Sequence, residues 1–119
     1  MFVLFGHGLL VGQPITKWLK NQNANVAIID EFTENPTEIS KTADVVISGV
    51  GKPNLIRQEM MKEGVVVIDF GYENLEGKAV GDVDFESVSQ KASLITPVPG
   101  GVGPLVIAAI FKNLLALNS

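Results

Sequence analysis

Cysteine is absent from this chain of 119 residues, and histidine occurs once, at His7. A disulfide frame and a thiolate metal centre are therefore excluded, and one imidazole cannot make a histidine metal cluster, so no metal site is expected. Positive charge is scarce as well. Nine Lys and Arg stand against thirteen Asp and Glu for a net charge of −4, and the lysines are scattered. Nucleic-acid binding draws on a basic stripe, so no nucleic-acid partner is expected. Long apolar runs are missing too: those present are too short and too interrupted to span a bilayer, which argues against a membrane partner. Met1 leads straight into an apolar segment rather than a basic leader, and the cytoplasm is the expected location.

What the chain does have is apolar material, 46% of residues, with only 18% charged. That suits one domain over residues 1–119 with sheet buried on both faces. Phe2-Val3-Leu4-Phe5, Asn25 to Ile29, Asp44 to Ser48, Val65 to Phe70 and Ser93-Leu94-Ile95 are short, mostly apolar runs, the pattern of central parallel strands. Between them lie segments with helical spacing. After the first run, Ile15, Trp18, Leu19 and Gln22 would face inward and Lys17 and Lys20 outward. A polar stretch from Glu34 to Thr42 has a helical turn started by Thr37. Asn54 to Lys62 reads as an amphipathic helix with Leu55 and Met61 inward, and Phe85 to Lys91 as a short helix. Leu105 to Leu117 is apolar on nearly every side. Asn74 to Val80, with Glu76-Gly77 at its centre, predicts a hairpin. The fold class is α/β: a Rossmann-like, doubly wound parallel sheet of about five strands in three αβα layers.

Chemistry concentrates at the ends of these runs. Gly6-His7-Gly8-Leu9-Leu10-Val11-Gly12 follows a strand and precedes a helix, a variant of the dinucleotide fingerprint. Its glycines make the turn, admit a pyrophosphate close to the backbone and let the helix pack, while the helix start offers free N–H groups to an anion. Pro14 suits a first helical turn. Asp30-Glu31 closes the second strand about two dozen residues after Gly6, where an acid accepts hydrogen bonds from adenosine ribose hydroxyls and repels a 2′-phosphate. This predicts NAD, with NADP disfavoured; two solvated loop acids are the other reading of the pair. Gly49-Val50-Gly51-Lys52-Pro53 fits a backbone lying along a cofactor or a simple turn. Tyr72, at the carboxyl end of the fourth strand, either covers a nicotinamide or packs as a half-buried tyrosine. Asp82 and Asp84 flank Val83 and would point the same way on an extended segment, though two carboxylates alone make a poor cation site.

From Thr96 to Pro104, proline and glycine fill six of nine positions. Proline stiffens such a loop and glycine opens it to close approach, which favours a binding loop over a plain connection.

Thr96-Pro97-Val98-Pro99-Gly100-Gly101-Val102-Gly103-Pro104 resembles the C-terminal signature of the bifunctional methylenetetrahydrofolate dehydrogenase/methenyltetrahydrofolate cyclohydrolase family. Val11-Gly12-Gln13-Pro14, Val50-Gly51-Lys52-Pro53, Val67-Ile68-Asp69-Phe70-Gly71 and Val80-Gly81-Asp82-Val83 resemble its V-G-x-P, V-G-K-P, V-I-D-V-G and V-G-D-V segments, in the same order and spacing. The resemblance spans the whole chain but only the NAD(P)-binding half of the family.

It implies an oxidoreductase and hydrolase of one-carbon folate metabolism. Methylenetetrahydrofolate gives hydride to a nicotinamide cofactor, and the methenyl product is then hydrolysed. By position, Gly6, His7 and Gly8 match the cofactor-binding turn and Tyr72 the residue beside the nicotinamide end. Leu10, Val11, Gly12, Gln13, Asp30, Val50 and Gly51 complete the expected cofactor contacts. Pro99, Gly100 and Gly101 match the part of the signature that lines the folate site. The family usually has Ser where this chain has Gly8, often Arg where it has Gln13, and commonly basic or hydroxyl residues at Asp30-Glu31. Each change removes a partner for a 2′-phosphate. Val106 replaces a common Thr.

The family's catalytic Lys, and the Tyr four residues before it, belong to an N-terminal domain outside this chain. Tyr72 is followed four positions on by Glu76, so the chain supplies no catalytic residue of its own, and Lys52 is not a substitute. The chain is thus expected to be inactive alone and to share its folate substrate with a second domain or chain. Its apolar surface suggests a homodimer. The alternatives are a stand-alone, non-catalytic dinucleotide-binding module and a Rossmann-like fold that binds nothing.

Overall fold

The computed structural model describes residues 1–6, 12–50, 52–70 and 73–95. Within them β1 (Phe2–Phe5), β2 (Val26–Ile29), β3 (Val45–Ser48), β4 (Val66–Asp69) and β7 (Leu94–Ile95) form one sheet in the order β2-β1-β3-β4-β7. Every neighbouring pair is parallel. The α/β class and the five parallel strands are as the apolar runs foretold. Antiparallel β5 (Glu73–Leu75) and β6 (Lys78–Val80) make a separate hairpin. Its turn residues have φ of 52° at Glu76 and 82° at Gly77. Two successive positive values belong to the turn whose twist matches flanking antiparallel strands.

Side chains alternate across the sheet and bury both faces. Phe2, Leu4, Val45, Ile47 and Ile68 share one core cluster, covered by Ile15 and Leu19 of α1 (Gly12–Asn21). Val3, Phe5, Ile29, Val46 and Val67 share the other. Ile39 of α2 (Pro36–Ser40) and Val88 of α3 (Phe85–Ser89) pack there. Burying each such side chain fully is worth about 1.5–3 kcal/mol against leaving it exposed. This two-sided burial explains why the strands carry almost no polar residues.

Three local expectations change. On α1 the inward stripe is Ile15, Thr16 and Leu19, whereas Trp18 is 36% exposed and Gln22 is exposed beyond the helix end. Trp18 lies at the margin of the stripe rather than on it. α2 starts at Pro36, not Thr37, after Asn35 at φ 53°. Asparagine tolerates that left-handed conformation, and proline suits the first helical position. Over 54–62 there is no helix beyond a single 3-10 turn at Gln58–Met60. Ile56 instead pairs with Val83 in a parallel bridge, donating its N–H to the Asp82 carbonyl and accepting from the Asp84 N–H. Asn54 has φ 56°, which a helix interior does not allow. The residues that point inward are Ile56 and Met61, while Leu55 is 36% exposed. The helix expected over Leu105 to Leu117 lies outside the described residues.

At the amino end of β3, Asp44 binds the Lys62 ammonium and, at 2.9 Å, the Met1 ammonium. The Lys62 hydrogen bond, followed by that from the chain-terminal amine, holds the Asp44 carboxyl below its ordinary range. Among the described residues no helix is long and apolar enough to cross a membrane.

Candidate functional site

Because the strands run parallel, their carboxyl ends share one edge. There Phe5-Gly6 continues β1, Asp30 continues β2 and Gly49-Val50 continues β3. The β1 chain leaves toward β2 on one side, while β3 lies on the other, which makes the β1/β3 boundary the switch point where open α/β sheets bind ligands. A cavity of about 440 Å³ opens at this edge. Its floor is Phe5, Gly6 and Ile29. One wall is Asp30, Glu31, Thr33 and Pro36, and the other is Val50, Lys52, Leu55 and Met60.

Gly6 is needed where it stands. Its φ is +92°, and a Cβ there would sit 3.0 Å from Val50 Cγ2 and 3.4 Å from the Gly49 carbonyl oxygen. Any side chain would be strained in its own backbone and would push on the facing wall.

Asp30 is exposed and belongs to a tight turn. Its Oδ1 accepts from the Phe32 N–H at 2.9 Å and from Thr33 Oγ1 at 3.0 Å, while its own N–H donates to Thr33 Oγ1 at 2.9 Å. Such side-chain-to-backbone bonds are how Asp organises turns. They occupy one oxygen and leave Oδ2, beside the cavity, unpaired among the described residues. On the opposite wall the Lys52 ammonium makes no ion pair among the described residues.

Contrary to the expectation from their spacing, Asp82 does not point the same way as Asp84. It is fully buried, and its carboxyl group accepts from Ser48 Oγ at 2.5 Å, from the Val50 N–H at 2.8 Å and from the Lys52 N–H at 3.0 Å. Asp84 faces α3 instead and caps it by accepting from the Ser87 N–H at 3.5 Å. The two therefore share no cation site, and among the described residues no group of three or more His, Cys, Asp or Glu could hold a metal ion.

Of the residues singled out from sequence, Gly6, Asp30 and Val50 meet at the cavity. Gly12 opens α1, and Gln13 is exposed in its first turn without lining the cavity. His7, Gly8, Leu10, Val11, Gly51, Tyr72, Pro99, Gly100 and Gly101 lie outside the described residues. Sequence reasoning missed Thr33, Pro36, Leu55 and Met60 as cavity walls. The left-handed Asn35 before Pro36 carried a turn signal in the dipeptide, but Leu55 and Met60 carried none, since an apolar residue in an apolar chain reads first as core.

The whole chain, residues 1–119, matches the tetrahydrofolate dehydrogenase/cyclohydrolase NAD(P)-binding domain. The chain belongs to that family. The bifunctional protein FolD of Hydrogenobaculum sp. strain Y04AAS1 is 51% identical over 112 residues, covering 94% of this chain and 40% of the relative. That of Fusobacterium nucleatum is 50% identical over 113 residues, covering 95% and 40%. Among solved structures, the FolD methylenetetrahydrofolate dehydrogenase/cyclohydrolase of Campylobacter jejuni superposes with a TM-score of 0.83 at 46% identity, covering 97% of this chain and 41% of the other. The FolD of Trypanosoma brucei, complexed with NADP cofactor and inhibitor, superposes with a TM-score of 0.78 at 36% identity and covers 96% and 41%. This chain thus corresponds to the NAD(P)-binding domain of its FolD relatives and spans about two fifths of their length.

Proposed function

We propose that the cavity at the β1/β3 boundary receives the adenosine end of a nicotinamide dinucleotide. On this reading the chain is the cofactor-binding half of a methylenetetrahydrofolate dehydrogenase/methenyltetrahydrofolate cyclohydrolase. The observation that carries the reading is the pairing of Gly6 and Asp30 at one cavity: a floor that excludes a β-carbon beside a wall with an unpaired carboxylate oxygen. Both suit the cofactor, since the first admits a phosphate-bearing ligand near the backbone and the second accepts from ribose hydroxyls. Gly6, His7, Gly8, Leu10, Val11, Gly12 and Gln13 would hold the pyrophosphate and its ribose, Asp30 the adenosine ribose, Val50 and Gly51 the facing wall, and Tyr72 the nicotinamide end. Pro99, Gly100 and Gly101 would border the folate. When bound, the nicotinamide supplies hydride acceptance; the chain binds and orients it.

Asp30 and Glu31 favour NAD, because a 2′-phosphate would stand against two acids on the same wall. One observation favours the second reading, NADP: Lys52, in no ion pair among the described residues, lines the opposite wall of the same cavity. Calorimetric titration with both dinucleotides separates them. Tighter binding of NADP than of NAD would reverse the assignment, and loss of that preference in Lys52→Ala would name the residue responsible.

The chain holds no Tyr-x-x-x-Lys pair, so oxidation of methylenetetrahydrofolate is proposed to require a second domain or polypeptide that carries one, with the folate held between the two. Mixing the chain with such a polypeptide should restore NAD-dependent oxidation. Dinucleotide binding without any restored oxidation would favour a stand-alone binding module. A homodimer and a cytoplasmic location complete the proposal, the first testable by sedimentation.

A further inference from the structure

Asp82 lies at a junction that none of the cavity-lining residues reveals. Its N–H donates to Asp69 Oδ1 at 3.3 Å and the Val83 N–H to Asp69 Oδ2 at 3.0 Å, so the end of β4 fixes its backbone from one side. Its carbonyl accepts from the Ile56 N–H at 2.9 Å, which fixes the backbone from the other. Asp69 is 4% exposed and Asp82 0%. From this clamped position the Asp82 carboxyl group reaches Ser48 at the end of β3 and then the N–H groups of Val50 and Lys52, two residues of the cavity wall facing Asp30. A buried carboxyl costs free energy unless its oxygens are satisfied, and here satisfying them fixes the loop that leaves β3.

We infer that Asp82 is a positioning residue for dinucleotide binding. By accepting from Ser48, Val50 and Lys52 it sets how far the β3 wall stands from the β1 glycine and the β2 acids, although it does not itself line the cavity. The inference rests on the reading that the cavity binds a dinucleotide. The distance matters because Val50 Cγ2 lies 3.0 Å from where a Cβ on Gly6 would stand, so the two walls meet at this point and a shift of the loop changes the width of the crevice. Asp69 acts one step further away, holding the Asp82 and Val83 N–H groups. The Val-Gly-Lys-Pro and Val-Gly-Asp-Val segments are thus two ends of one device.

Asp82→Asn tests this. The amide keeps one acceptor oxygen, and at the Oδ2 position that oxygen serves both Ser48 and Val50. With oxygen there, the amide nitrogen opposes the Lys52 N–H, donor against donor, and that bond is lost. NAD affinity should fall about tenfold, and the Lys52 amide should exchange hydrogen about tenfold faster, for one lost buried bond. Ser48→Ala removes one donor only and should weaken binding by about threefold. Val88→Ala, a cavity-forming change in the core at α3, serves as the control for stability: it should lower the melting temperature without changing the affinity for NAD.

Unchanged affinity in Asp82→Asn, with wild type binding NAD, overturns the inference and leaves the cofactor reading intact. So does an affinity loss in Val88→Ala matching that in Asp82→Asn at equal loss of stability. A wild-type chain that binds neither dinucleotide overturns the cofactor reading and the ligand part of the inference together. Unchanged exchange of the Lys52 amide in Asp82→Asn overturns the structural part in either case.

Discussion

The Val50 Cγ2 methyl stands 3.0 Å from the point where a β-carbon on Gly6 would lie, across the floor of the crevice between β1 and β3. Gly6→Ala should therefore suffer twice, from φ +92° and from contact with Val50 and the Gly49 carbonyl. A loss of about 1–3 kcal/mol is expected on denaturant unfolding, together with loss of dinucleotide binding. Adding Val50→Ala should recover part of the stability but not all, since the backbone strain stays. Full recovery would show that φ is not the larger cost.

Asp30→Asn separates charge from turn geometry. The amide oxygen can take the place of Oδ1 and keep the bonds from Phe32 and Thr33, so the fold should hold its melting temperature. NAD affinity should fall by about tenfold through loss of a charged acceptor, while NADP affinity rises or holds. Titration of both dinucleotides reads the ratio, and an unchanged ratio would remove Asp30 from the selection of coenzyme.

At the hairpin, Glu76 sits at φ 52° and Gly77 at φ 82° with nothing within 4 Å of a Cβ added at Gly77. Gly77→Ala should then cost only the backbone penalty, about 1–2 kcal/mol. Glu76→Asn, which creates the Asn-Gly pair favoured in such turns, should stabilise by a few tenths to about 1 kcal/mol. Chemical denaturation measures both, and a Gly77→Ala that costs nothing or a Glu76→Asn that destabilises would overturn this account of the turn.

Asp44 carries the acid sensitivity. Its carboxyl is held below its ordinary value of 3.8, first by the Lys62 hydrogen bond and then by the terminal amine. A lowered folded-state pKa gives stability that is present above the unfolded value and lost as pH falls through the folded one. Wild type should thus lose more stability below about pH 4 than Asp44→Asn does. The difference should stay under about 1 kcal/mol and shrink in salt, because the pair is exposed. Melting curves from pH 7 to pH 3 check the sign.

The strands were legible because each is an apolar run whose two faces both find a core, and the hairpin was legible through Gly77, which takes a positive φ freely. The segment 54–62 misled for a physical reason. Its apolar spacing suits a helix, but the backbone of Ile56 bonds to Asp82 and Asp84, and a long-range bridge outweighs local periodicity. Trp18 misled through its size, since a large apolar side chain reads as core even at the margin of a helical stripe. Gly6 and Asp30, which line one cavity, could be singled out from their spacing alone. The burial of Asp82 could not, because a buried acid and a solvated one look alike until donors such as Ser48, Val50 and Lys52 are placed around it. Nine of the expected site positions, from His7 to Gly101, lie outside the described residues, and their roles rest on family resemblance.

The acids that face the crevice, Asp30 and Glu31, are exposed, whereas the residues that hold the sheet together are buried below them. On the proposed reading, coenzyme choice and folding draw on separate sets of side chains, and two or three surface substitutions at the β2 turn would exchange one nicotinamide coenzyme for the other with little effect on whether the chain folds.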